Sequence, residues 1–275
     1  MRRLLLALIL ALPIALPVSA ASVDGISINS TTTGKGPTLV FVHGWTCDLS
    51  SWTAQVPEFA KHYRVITLDL PGHGKSGSPK DGKFSMDLFA KAVEAVRAEA
   101  GADRIVLIGH SMGAPVIRQY AHNYPQHVAG LVAVDGPLDM RAFGAPQPGQ
   151  GGPPQMTGPE GLKAREGMIR GMFVATTPEP LQKHILAMML GAPEATANGA
   201  MAAVFDPSIR WTDAIRAPSY EVVAGTGRVP DAAAMKDVLP TFEATQLAGT
   251  GHFLMMEKPD EFNRLLTGFL DKIHF

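Results

Sequence analysis

The stretch Arg104-Ile105-Val106-Leu107-Ile108-Gly109-His110-Ser111-Met112-Gly113 decides how this chain is to be read. The aliphatic run 105–108 has the character of a buried strand. It meets Gly-x-Ser-x-Gly, and residues 116–124 beyond it suit a helix. Strand, sharp turn and helix are the context of a nucleophile elbow, in which the serine side chain stands clear of the sheet. The two glycines permit the bend and the close approach of neighbouring backbone. Pro115 fits, because the first turn of a helix has no intrahelical partners for its N–H groups.

Working outward, the chain alternates strands with helices of about a dozen residues. Residues 23–30 alternate and suggest an opening hairpin. Strands are predicted at 38–42, 64–70, 104–108, 128–134, 220–224 and 243–247. Helical spacing covers 49–62, 86–100, 116–124 and 259–272. This order predicts an α/β fold with a mostly parallel central sheet, covered on both faces by helices. Ligand sites in such sheets lie at the carboxyl ends of strands. Trp45, Ser111, Asp135 and His252 all follow predicted strands.

The strand rhythm stops between Gly136 and Pro218. Residues 144–159 are dense in glycine and proline and read as a flexible loop. Helix-like stretches follow at 161–174, 179–190 and 195–205. The expected organisation is a core of residues 22–136 and 218–275, with residues 137–217 forming a helical cap inserted after the sixth strand. Met140, Met156, Met168, Met172, Met188, Met189 and Met201 fall in the cap. They suit either an adaptable pocket wall or plain packing.

The 275 residues suit one large domain or a core with an insertion. A net charge of −1 gives no reason to expect nucleic acid or an anionic membrane as partner. The single cysteine, Cys47, excludes an intrachain disulfide and any multi-cysteine metal site. Residues 1–21 read as a secretory signal peptide. Arg2 and Arg3 form the positive start, 4–16 the apolar stretch, and Val18-Ser19-Ala20 the small residues before a cut after Ala20 or Ala21. The apolar stretch falls short of the roughly 20 residues that span a bilayer. The mature protein is therefore expected to be exported, to a periplasm or outside the cell, with no stable membrane insertion.

A serine hydroxyl needs a base and a group to orient that base. His252, in Gly249-Thr250-Gly251-His252-Phe253, follows the last predicted strand and is the candidate base. His110 neighbours the serine but is expected to point away. Asp135, at the tip of the strand 128–134, is the favoured acid. Asp231 is the alternative, since Arg228 occupies the place after the penultimate strand where a carboxylate is often found. Backbone N–H groups of Trp45 and Met112 are the candidate donors to a developing oxyanion. His43 is expected to brace the loop, and Asp69 and His73 to hold a turn.

Four motifs in this order carry a resemblance: His43-Gly44-Trp45, Asp69-Leu70-Pro71-Gly72-His73-Gly74-Lys75-Ser76, Gly109-His110-Ser111-Met112-Gly113 and Gly249-Thr250-Gly251-His252-Phe253. The chain resembles the α/β-hydrolase superfamily, especially its small capped serine esterase and haloperoxidase-like branch. The resemblance covers nearly all of the chain after the leader. It implies an α/β-hydrolase fold and a Ser111–His252–acid triad acting on carboxylic esters through an acyl-enzyme, without metal or organic cofactor. Lactones, thioesters and amides are alternative substrates, and a non-catalytic ligand-binding protein is the remaining reading. The expected partner is a small, apolar ester-type molecule. Some relatives place the acid after the strand that ends here at Asp135.

Overall fold

The computed structural model describes residues 21–140, 155–206 and 209–275. The described chain opens with a hairpin of β1 (Ser22–Val23) and β2 (Ile26–Ser27). It turns through Asp24 and Gly25, at φ 49° and 78°. Two-residue hairpin turns of this kind need left-handed φ at both positions, which Asp-Gly tolerates.

The main sheet has seven strands: β3 (Ser30–Thr33), β4 (Thr38–Val42), β5 (Arg64–Leu68), β6 (Ile105–His110), β7 (Val128–Val134), β8 (Ser219–Ala224) and β9 (Phe242–Leu247). Their spatial order is β3-β5-β4-β6-β7-β8-β9. Only β3 runs antiparallel, against β5. Every residue of β4, β6, β7 and β8 is buried. Both sheet faces are covered, which is why these strands, β8 with Ser219 and Glu221 apart, are mostly apolar with little alternation. After β4 the chain winds to β5 on one side, then returns to β6 on the other. The loops after β4 and β6 thus flank a crevice at the carboxyl edge, where ligand sites of open α/β sheets form.

Helix α2 (Met86–Glu99) starts at Ser85, whose hydroxyl accepts from Leu88 N at 3.0 Å. This satisfies one of the free N–H groups of the first turn. It lies beside α3 (Gly113–Asn123), joined by Tyr120 OH to Glu94 Oε2 at 2.7 Å and Asn123 Nδ2 to Asp87 Oδ1 at 2.8 Å. The last helix, α9 (Pro259–Lys272), follows the short α8 (Leu254–Glu257) and covers β8, with Phe269 stacked on Tyr220 at 5.5 Å between ring centres. The expected helix over 49–62 is instead a 3-10 turn, Leu49–Trp52, followed by a short α1 (Val56–Phe59). The Asp48 carboxylate accepts from Ser50 N, and Thr53 Oγ1 donates back to Ser50 O. These local bonds compete with a continuous helix.

Between β7 and β8 stand three cap helices, α4 (Gly158–Arg170), α5 (Glu179–Gly191) and α6 (Glu194–Val204). In chain order β7 is the fifth strand of the large sheet, so the insertion follows the fifth strand and not the sixth. The opening stretch places only β3 in that sheet, because β1 and β2 pair with each other. Ile169, Ile185, Met189, Ala197 and Ala200 are buried within the cap. Arg165 Nη2 donates to the carbonyls of Met189 and Ala192, tying α4 to the end of α5. Of the cap methionines, Met156 and Met189 are buried packing residues, and Met168 is exposed. Most of the Gly/Pro-rich stretch 144–159 lies outside the described residues. Among the described residues no helix is long and apolar enough to cross a membrane.

Candidate active site

Ser111 stands between the end of β6 and the start of α3 with φ +51°. A non-glycine residue in the left-handed region carries strain of about 1–3 kcal/mol and needs its surroundings to hold it. They do so through backbone bonds: Ser111 N donates to Val134 O, and Ser111 O accepts from Ala114 N, both at 2.9 Å. The glycines of the motif are required by space. A Cβ on Gly109 would come within 2.3 Å of Gly113 O, and one on Gly113 within 2.5 Å of Val42 O.

Asp135 follows Val134 and is also held at positive φ, +44°. Its amide donates to Val222 O, and its Oδ1 accepts from Ala224 N, both at 2.8 Å. The other oxygen, Oδ2, accepts from His252 Nδ1 at 2.5 Å. Burial works to raise the Asp135 carboxyl. The hydrogen bond and charge of His252, helped by Ala224 N–H, outweigh it and hold the group below the usual carboxylate range. With Nδ1 committed to Asp135, the second imidazole nitrogen, Nε2, stays free of that bond.

The loop carrying His252 is held from three sides. His252 N donates to Met172 O of the cap at 3.0 Å, and Gly251 N donates to Glu257 Oε2 at 2.9 Å. His110 Nε2–H donates to His252 O at 2.9 Å, with the two rings 4.8 Å apart. From the sequence, His110 is expected only to point away from the serine. His110, next to Ser111 in the chain, reaches the backbone of the His252 loop. Burial, aided by the neighbouring His252, pushes the His110 imidazole down to about 3, so it is neutral. Ser111 thus lies between two neighbours that both bond to His252: His110 beside it in the chain, and Asp135 beyond Val134, the residue that accepts from its amide.

Trp45 and Met112 are both buried at the elbow. The Trp45 indole Nε1 donates to Ala197 O of α6 at 2.8 Å, so the loop after β4 is fastened to the cap. His43 braces the same loop. Its Nε2 accepts from Leu70 N at 3.0 Å, so Nδ1 carries the proton and donates to Gly44 O at 2.8 Å. Asp69 holds its turn by accepting from Leu49, Lys75 and Asn29. Burial pushes the Cys47 thiol up to about 12, which leaves it unreactive at neutral pH.

Asp231 is not brought to this site. It is exposed and caps the short α7 (Ala232–Met235), accepting from Ala233 N at 2.9 Å. Loop 225–227 brings no carboxylate to the site and is held by Gln246 Nε2 donating to the carbonyls of Ala224, Gly225 and Gly227. A cleft of about 280 Å³ opens over Asp135 and His252, walled by Thr226 and by Gly171, Met172 and Phe173 of the cap. Among the described residues no group of histidine, cysteine or acidic side chains is placed to hold a metal ion.

Glu221 is a buried residue of this region that sequence reasoning missed. It lies on β8 opposite Ala133, two residues before Asp135 on the neighbouring strand. It is 1% exposed, and neither carboxyl oxygen has a hydrogen-bond partner among the described residues. Burial, and then the charge of Asp135, push its carboxyl from 4.5 up to about 8. At neutral pH it is therefore protonated, and Asp135 carries the only charge of the pair. The folded chain binds this proton more tightly than the unfolded one, so stability falls as pH rises from about 4.5 to about 8. Replacing Glu221 with glutamine is expected to flatten that slope. Thermal midpoints of the variant relative to wild type should rise steadily between pH 5 and pH 8, by an amount on the order of a few kcal/mol in stability. A constant offset at every pH would show that Glu221 does not titrate in this range.

A sheet wound this way, with an elbow serine at its crevice and a histidine returned from the far end of the polypeptide, is the framework of hydrolytic α/β proteins. The model of the alpha/beta hydrolase fold family matches residues 37–194, more than half of the chain, and the chain belongs to that family. It is 30% identical over 274 residues to a 2-hydroxy-6-oxononadienedioate/2-hydroxy-6-oxononatrienedioate hydrolase of Paraburkholderia phymatum, covering 89% of this chain and 90% of that protein. A shorter match, 37% over 115 residues, is to the dihydrolipoyllysine-residue acetyltransferase component of the acetoin cleaving system of Cupriavidus necator. That match takes in 42% of this chain and only 30% of the relative. The solved structure of a thermophilic esterase from Thermogutta terrifontis is similar at a TM-score of 0.76 and 25% identity, covering 93% of this chain and 97% of that one.

Proposed function

We propose that the protein is an exported serine hydrolase that cleaves carboxylic esters of small, apolar character. The supporting observation is the 2.5 Å bond from His252 Nδ1 to Asp135, formed beside a serine held at positive φ. His252 Nε2 takes the Ser111 proton as Oγ attacks the ester carbonyl. The N–H groups of Trp45 and Met112 receive the oxyanion. The tetrahedral species collapses to an acyl-Ser111 ester, and the proton on His252 goes to the departing alcohol. Water, deprotonated by His252, then attacks the acyl group. The acid leaves and the proton returns to Ser111. The overall reaction consumes one ester and one water.

The cap wall of Met172 and Phe173 favours an apolar acyl or alcohol group of modest size. Dehalogenation and epoxide opening by the covalent route need a carboxylate at the elbow, where this chain has Ser111. A fluorophosphonate probe is expected to label the wild-type protein stoichiometrically at Ser111, read by intact mass and peptide mapping. A panel of p-nitrophenyl esters, lactones, thioesters and amides then ranks substrates. A protein that stays unlabelled and turns over none of them is a binding protein and not an enzyme.

A further inference from the structure

The sequence allows removal of the leader after either Ala20 or Ala21, because both cuts leave small residues at the positions a signal peptidase reads. The fold distinguishes them. Ala21 is 6% exposed, its carbonyl accepts from Ile28 N at 2.8 Å, and its nitrogen lies 3.1 Å from Glu99 Oε2. Glu99 is the last residue of α2, and among the described residues no lysine, arginine or histidine forms an ion pair with it. Arg64, which lines the same surface depression, spends its guanidinium on Ala100 O. A cut after Ala21 discards a buried methyl group and the acceptor of Ile28 N. A cut after Ala20 keeps both.

We propose that the Ala20–Ala21 bond is the processing site and that the ammonium released there docks on Glu99, so that cleavage itself tightens the mature fold. The proposal rests on the export reading above. Water hydrolyses the peptide bond under a signal peptidase, leaving a carboxylate on Ala20 and an amine on Ala21. In the precursor that nitrogen is a neutral amide with a single N–H. After the cut it carries a full positive charge and three donors, against a carboxylate and at the negative end of a helix dipole, where cations are favoured. The precursor therefore lacks an ion pair that the processed chain has.

Two measurements test this. The intact mass of the protein recovered from the periplasm or medium of a secreting host is expected to begin at Ala21. A mass beginning at Ser22 or elsewhere overturns the processing site. An uncut chain retained in the cell overturns the export reading instead. Thermal unfolding at about pH 6.5 is then compared for wild type and Glu99→Gln, each as the processed chain and as a chain extended to residue 17. Glu99→Gln is expected to lower the midpoint of the processed chain by a few degrees more than that of the extended chain. The excess should vanish above the range in which an α-amino group loses its proton, about 8 and upward when paired. An equal shift in both forms, or none in either, shows that the ammonium contributes nothing and overturns the docking.

Discussion

Replacing Ser111 with alanine is expected to lower kcat by four to six orders of magnitude, to the level of catalysis left by binding and oxyanion donors alone, about 10³–10⁴ over water. The loss is large because the serine, its base and the orienting acid act as a unit: once the nucleophile is gone, the others have nothing to activate. Ser111→Ala also removes only one oxygen and leaves the Ser111 N to Val134 O bond of the turn in place. Both chains should therefore show equal thermal midpoints within about a degree or two, and the variant should resist fluorophosphonate labelling. Turnover of the best ester by Ser111→Ala at a tenth of the wild-type rate or more, in a preparation free of contaminating wild type, would falsify the acyl-enzyme route.

The second large effect is expected at Asp135. Asp135→Asn should lower kcat by about 10⁴, whereas Asp231→Asn should stay within about twofold of wild type. The asparagine keeps the Oδ1 contact with Ala224 N–H but can present an amide N–H to His252 Nδ1. That favours the tautomer with its proton on Nε2, which cannot accept from Ser111. The charge that stabilises the imidazolium in the transition state is lost as well. Among the described residues the Asp231 carboxylate bonds to Ala233 N at the start of α7. A collapse of turnover in Asp231→Asn with little change in Asp135→Asn reverses the assignment of the acid. Asp135→Asn also removes the charge that helps keep Glu221 protonated, so the pH slope of stability described above should move toward lower pH.

The elbow was legible from local sequence. Gly109 and Gly113 are needed where backbone passes within reach of Gly113 and Val42, and an apolar run ahead of such a turn has few other solutions. His252 was legible for a similar reason, as a histidine in a Gly-rich loop between the last strand and the last helix. The bond of His110 to the His252 loop was not legible. Its neighbour in the chain indicates only that it leaves the turn on another side, not that a loop 142 residues away brings a carbonyl to it. Glu221 gave no signal either. In a strand whose other residues are mostly apolar or small, a glutamate reads as an edge or solvent position, yet β7 and β9 flank it and bury it.

What the amino-acid sequence by itself determined is the order of strands and helices, the strained serine turn and the Gly-rich loop that carries His252, because each depends on residues close together in the chain. Only the tertiary structure showed that Asp135, and not Asp231, bonds to His252, and that Met172 of the cap and His110 hold the His252 loop. These are contacts between segments roughly a hundred residues apart, governed by which strand tips the parallel sheet sets side by side. Strand order is a property of packing and not of local propensity: Asp135 stands beside Ser111 because β7 pairs with β6.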